Sequence, residues 1–165
     1  MRNLITIIIL FFTLQQAAAQ SYTELCEAGK NHLERKEYRA AAEAFSKAND
    51  IAKDNSQRLH TLTNLGQAQS LMNKHEEAAE SFGKALEIAP SSPMLQLQRG
   101  NALLQIDSAQ AAVECYDKIL AKYPDNREAR FFRAYAYSLL EQYKESKIDY
   151  IKLISTNGED KEARL

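Results

Sequence analysis

Residues 59–92 read LHTLTNLGQAQSLMNKHEEAAESFGKALEIAPSS. In the first half, Leu62, Leu65 with Gly66, and Met72 recur at the spacing of one helix face. In the second half, Ala78, Phe82, Ala85 and Leu86 do the same. Asn73 and Lys74 form a short turn between the two helices. Pro90 closes the stretch, because proline lacks the N–H that would continue a helix and restrains the residue before it. Neither helix can bury its apolar stripe alone, so the pair must stack on neighbours of its own kind.

The rest of the chain supplies those neighbours. Gly29, Gly66, Gly100 and Ala134 share one slot, and Ala41, Ala78, Ala112 and Ser146 a second. Phe45, Phe82, Tyr116 and Tyr150 fill a third, and Lys53, Pro90, Pro124 and Gly158 a fourth. The last three units follow one another every 34 residues, and the first step is 37. A period of about 34 with small, small, aromatic and proline slots resembles the tetratricopeptide repeat. The resemblance runs from Tyr22 to Gly158. It implies an all-α, right-handed superhelix of about four helix-turn-helix repeats plus the start of a fifth.

The expected repeats span residues 22–55, 59–92, 93–126 and 127–160, with a fifth opening at 161–165. The three extra residues of the first step fall between Asp50 and Ser56, where they either lengthen the second helix of unit one or enlarge a loop. Gly costs about 1 kcal/mol against Ala inside a helix. Gly66 and Gly100 are therefore expected to serve a close helix–helix approach.

Residues 1–19 stand apart from this pattern. Arg2 precedes an apolar run from Leu4 to Leu14, and Ala17-Ala18-Ala19 ends it, which reads as a secretory signal peptide cut after Ala19. Ser21 with Glu24 then forms a capping box that starts the first helix. Ser92-Pro93 caps unit three, and Asp125 with Glu128 reads as a second capping box. Asn157-Gly158 is a helix stop. Beyond it, residues 158–165 repeat the pattern of residues 124–131. Ile148, Ile151 and Ile154 are then only partly covered. Either another chain pairs with this end, giving self-association, or the sequence belongs to a longer parent.

Charge excludes a nucleic-acid binder. Removal of residues 1–19 leaves 20 basic against 22 acidic residues, with no six-residue run of one sign. The short leader and the absence of any N-x-[ST] sequon place the chain in a bacterial periplasm, or outside the cell. Cys26 and Cys115 lie in units one and three. Repeats that touch only their neighbours hold them too far apart for a disulfide, so two free thiols are expected.

No catalytic motif is present. His32, His60 and His75 form no H-x-x-x-H pair, and no C-x-x-C, P-loop or G-x-S-x-G occurs. His32 and His75 read as packing residues, and Glu76, Glu77 and Glu80 as a solvated face. The sequence thus predicts no enzyme, no cofactor, no metal and no small-molecule substrate.

What remains is a binding surface. In the family that the chain resembles, first helices line a concave groove for an extended peptide or a partner helix. The groove slots carry over to Cys26 and Lys30, Thr63 and Gln67, Leu97 and Asn101, and Phe131 and Tyr135. Phe131 and Tyr135 form an aromatic anchor pair. Some family cochaperones clamp a C-terminal carboxylate, and at those slots this chain has Cys26, Lys30, Asn64, Met94 and Gln98. Only Asn64 matches, so the clamp is broken. The expected function is a protein-binding scaffold of the cell envelope. The alternatives are a self-associating module, or a non-catalytic segment of a larger envelope or secretion complex or enzyme.

Overall fold

The computed structural model describes residues 21–162, and side chains from 21 to 155. Eight helices follow one another among the described residues: α1 Tyr22–Glu34, α2 Tyr38–Asp50, α3 Asn55–Leu71, α4 His75–Ile88, α5 Pro93–Leu104, α6 Ala109–Lys122, α7 Arg127–Leu139 and α8 Tyr143–Glu162. Each packs on the next, so four helix pairs stack into an all-α solenoid. The expected leader, residues 1–19, lies outside the described residues.

The two helices of each pair begin differently. First helices of all four units are capped by a side chain: Ser21 on the Glu24 N–H, Asp54 on Gln57, Ser92 on Leu95 and Asn126 on Ala129. Ser21 and Glu24 complete the capping box read from the sequence. The second box does not form, because Asn126 rather than Asp125 takes the cap position, 2.8 Å from the Ala129 N–H. Second helices α2, α4 and α6 have no side-chain cap. They follow a tight turn whose one left-handed residue recurs in every unit: Lys36, Asn73, Asp107 and Glu141, with φ of 60°, 60°, 56° and 59°.

The glycine slot has a simple geometric cause. A Cβ on Gly29 would lie 2.7 Å from the Phe45 ring, one on Gly66 2.8 Å from Phe82, and one on Gly100 2.7 Å from Tyr116. The aromatic of the second helix sits directly on the first helix of its own unit, closer than any side chain allows. Phe45, Phe82 and Tyr116 are fully buried there. Leu86, Leu95, Leu103, Ile119 and Leu120 join Phe82 and Tyr116 in one core that runs through units two to four, while Phe45 packs with Ala41 and Ala68.

Two boundaries differ from expectation. The three extra residues lengthen neither α2 nor the loop after it. They extend α3, which has 17 residues where α1, α5 and α7 have 13, 12 and 13. Unit two therefore begins at Asn55 rather than Leu59, because Asp54 and Gln57 supply a cap ahead of the repeat pattern. At the far end α8 runs through Asn157-Gly158 to Glu162. Pro90 and Pro124 enforce the stops after α4 and α6, whereas glycine only weakens a helix.

Candidate functional site

The eight residues expected to line a groove fall into two groups. Lys30, Gln67, Phe131 and Tyr135 are exposed. The other four are engaged in the fold. Thr63 is half-buried and its hydroxyl donates to the Leu59 carbonyl at 2.7 Å. Leu97 is half-buried against the main core. The Asn101 carbonyl accepts from the Tyr116 hydroxyl at 2.8 Å, pinning the aromatic of unit three.

Cys26 corrects the groove reading. It is 6 % exposed and packs with Leu25 and Ala48. Its Sγ lies 3.8 Å from Nδ1 of His60, and the Tyr22 hydroxyl lies 3.3 Å from the same nitrogen while donating to the Gln57 carbonyl. His60, on the first helix of unit two, lies over unit one and covers this slot. Burial, followed by the hydrogen bond to Cys26, pushes the Tyr22 hydroxyl up to about 12. Burial, with the Lys30 charge second, holds His60 below its ordinary range. The Phe45 ring lies edge-on to His60, with centroids 6.5 Å apart. The cluster is a packed joint between units one and two. Cys26 and Cys115 are both buried and free, as the repeat spacing requires. Asn64, at a clamp slot, spends its amide on the His60 carbonyl at 2.7 Å.

At the other end the same slots stand open. Phe131 and Tyr135 are 49 % and 45 % exposed, one turn apart on α7. Phe131 meets Tyr150 edge-on, with ring centroids 6.2 Å apart. A cavity of about 440 Å³ opens there between Arg127, Glu128, Phe131, Tyr150, Leu153 and Ile154. Tyr150, Leu153 and Ile154 correspond to Tyr116, Ile119 and Leu120, which α7 buries in unit three. The cavity therefore lies where each earlier unit receives the next first helix. Ile148, Ile151 and Ile154 are 54 %, 53 % and 71 % exposed.

One polar feature escaped the sequence reading. Asp149, 1 % exposed, accepts from Arg133 Nε at 2.7 Å and from its Nη2 at 2.8 Å. Arg133 Nη1 also donates to Asp117 at 2.6 Å, and Arg130 reaches Asp149 and the Pro124 carbonyl. These carboxylates raise the Arg133 pKa still further, so α6, α7 and α8 are tied by charge-assisted bonds. The signal was present: Arg130, Arg133 and Asp149 stand where unit two has Leu62, Leu65 and Ser81. Among the described residues no group of three or more His, Cys, Asp or Glu could hold a metal ion. No helix among them is long and apolar enough to cross a membrane.

Helix pairs joined through their neighbours, each with an aromatic seated on a small residue, define a repeat solenoid. Family models described as tetratricopeptide repeat match residues 61–92, 93–137 and 128–160, and the chain belongs to the tetratricopeptide repeat family. Among curated relatives, the human mitochondrial import receptor subunit TOM70 is 26 % identical over 132 residues, which are 76 % of this chain and 21 % of that one. A tetratricopeptide repeat protein from Parabacteroides merdae superposes with a TM-score of 0.77 at 26 % identity, covering 85 % of this chain and 55 % of that one. YrrB, described as a TPR protein with an unusual peptide-binding site, gives a TM-score of 0.72 at 17 % identity over 81 % of this chain and 68 % of its own. The chain thus spans about a fifth of the receptor and about half of the Parabacteroides protein.

Proposed function

We propose that this chain is a non-catalytic scaffold of a bacterial cell envelope that binds a peptide or partner helix along its first helices. The single observation behind this reading is the exposed pair Phe131 and Tyr135, the first of them on an open cavity that Arg127 and Glu128 line with Tyr150, Leu153 and Ile154. Large aromatics left in water on one helix face are the usual anchors of a protein interface. Lys30 and Gln67 continue the face as a polar track. A family of interaction scaffolds, one member of which is described by its peptide-binding site, supports the same conclusion.

The test is direct. Peptides selected from a display library on the chain from Gln20 onward are titrated by calorimetry against wild type and a Phe131→Ala/Tyr135→Ala variant. The variant is expected to bind at least about tenfold more weakly, or about 1.4 kcal/mol. Equal affinity removes the site.

Export rests on Arg2, the apolar run after it and Ala17-Ala18-Ala19. Recovery from the periplasm of a chain beginning at Gln20 is the expected result, and an intact Met1 there overturns it. A second reading, self-association, is favoured by Ile148 and Ile151, which stand where units two and three carry Glu80 with Gly83 and Glu114 with Asp117. Light scattering that finds only monomer at high concentration eliminates it.

A further inference from the structure

Ile148, Ile151 and Ile154 recur every three residues along α8, and each is more than half exposed. A further repeat stacked on this end would not cover the stripe. Ile148 and Ile151 stand where unit two has Glu80 and Gly83 and unit three has Glu114 and Asp117. Glu80, Glu114 and Asp117 are exposed although a following unit packs on each of theirs. An added first helix reaches Leu153 and Ile154, whose counterparts Ile119 and Leu120 are buried in unit three. Ile148 and Ile151 would stay in water, where adjacent large apolar side chains mark a contact surface.

The opposite end of a second copy does not fit either. Later first helices bury a pair of residues against the unit before them: Thr61 with Ala68, Leu95 with Ala102, and Ala129 with Ala136. In those places α1 carries Glu24 and Asn31, both exposed. Head-to-tail stacking would press the Glu24 carboxylate, which caps α1 through the Ser21 N–H, onto Leu153 and Ile154.

The stripe is instead complementary to itself. Residues 143–152 of α8 carry Lys144, Lys147 and Lys152 against Glu145 and Asp149, and Asp149 is already engaged by Arg133. Residues 153–162 carry Glu159, Asp160 and Glu162 against Lys161. Two copies laid antiparallel about Ile151 set Ile148 of one opposite Ile154 of the other. The same arrangement lays the basic half of each helix along the acidic half of its partner, whereas a parallel pair sets like charges together.

We propose that α8 pairs with α8 of a second copy in an antiparallel, two-fold dimer centred on Ile151. This rests on the self-association reading and gives it a geometry. Such a contact uses the same patch on both copies and closes at two. Stable dimers bury about 800 Å² on each partner, more than three isoleucines supply. Half-association is therefore expected near about 50 µM.

The chain from Gln20 onward is followed by analytical ultracentrifugation across that concentration. A dimer and nothing larger is expected. Ile151→Glu places an acid where unit three has Asp117, so it should keep the helical circular dichroism spectrum and dimerise at least about tenfold more weakly. Added cysteines fix the direction, because Cys26 and Cys115 are buried and should not cross-link. On oxidation, an equal mixture of Ile148→Cys and Ile154→Cys chains should cross-link several-fold faster than either chain alone, and Ile151→Cys should cross-link by itself. Monomer alone throughout overturns both the pairing and the self-association reading. A dimer in which Ile148→Cys cross-links best with itself, or in which no cysteine on α8 cross-links, overturns the pairing and leaves self-association standing.

Discussion

Units two and four use the same slots and are held by different forces. In unit two, Phe82 is fully buried and rests on Gly66, and the slots beside it hold Leu62 and Leu65. In unit four, Tyr150 is half-buried and turns toward Phe131, Ala134 replaces the glycine, and the flanking slots hold Arg130 and Arg133 around Asp149. The repeat geometry tolerates an ionic joint in place of an apolar one. Arg99, with Cys115 and Gly83 in place of two carboxylates, is the intermediate case.

The largest expected effect tests the aromatic slot. Phe82→Ala removes a ring with no exposed surface and should cost about 4 kcal/mol. Tyr150→Ala removes a half-buried ring and should cost about 1 kcal/mol. Urea denaturation of the two variants measures both. Equal losses would mean that the open end is as tightly built as the middle, and the contrast would break.

Next comes the ionic joint. Asp149→Ala leaves the Arg133 guanidinium, 19 % exposed, without its principal carboxylate. A loss of about 3 kcal/mol is expected, since breaking a buried pair strands the remaining charge. Arg133→Leu/Asp149→Ser reproduces the Leu65 and Ser81 of unit two and should recover most of that loss. A double variant as unstable as the single one would show that the joint depends on the charges themselves.

How legible this was in the sequence follows from the same contrast. The helix pairs, Ser21 and Ser92 caps and glycine-aromatic slots were readable because each depends on residues within one repeat. Helix α3 was misread at its start because Asp54 and Gln57 act ahead of the repeat pattern. Cys26 was misread as a groove residue because its burial depends on His60, supplied by the next unit. Arg133 and Asp149 passed unnoticed because the slots were compared for size and not for charge. The exposure of Phe131 and Tyr135 fits their expected slots, since two aromatics one turn apart on one helix stand out without any tertiary explanation.

The smallest effect sharpens the comparison at the turns. Glu141 in unit four and Asn73 in unit two both hold φ near +60°, at 59° and 60°. A Cβ in that region clashes with the following carbonyl, and glycine relieves the clash. Asparagine tolerates the conformation better than glutamate, because its short polar side chain bonds locally. Glu141→Gly should therefore raise stability by about 1 kcal/mol, and Asn73→Gly by less than half of that. Glu141 is exposed, so little packing changes with it, and thermal melts of the two variants compare the turns alone. A larger gain at Asn73 would mean that the strain of these turns is set by the helices they join and not by the residue that makes the bend.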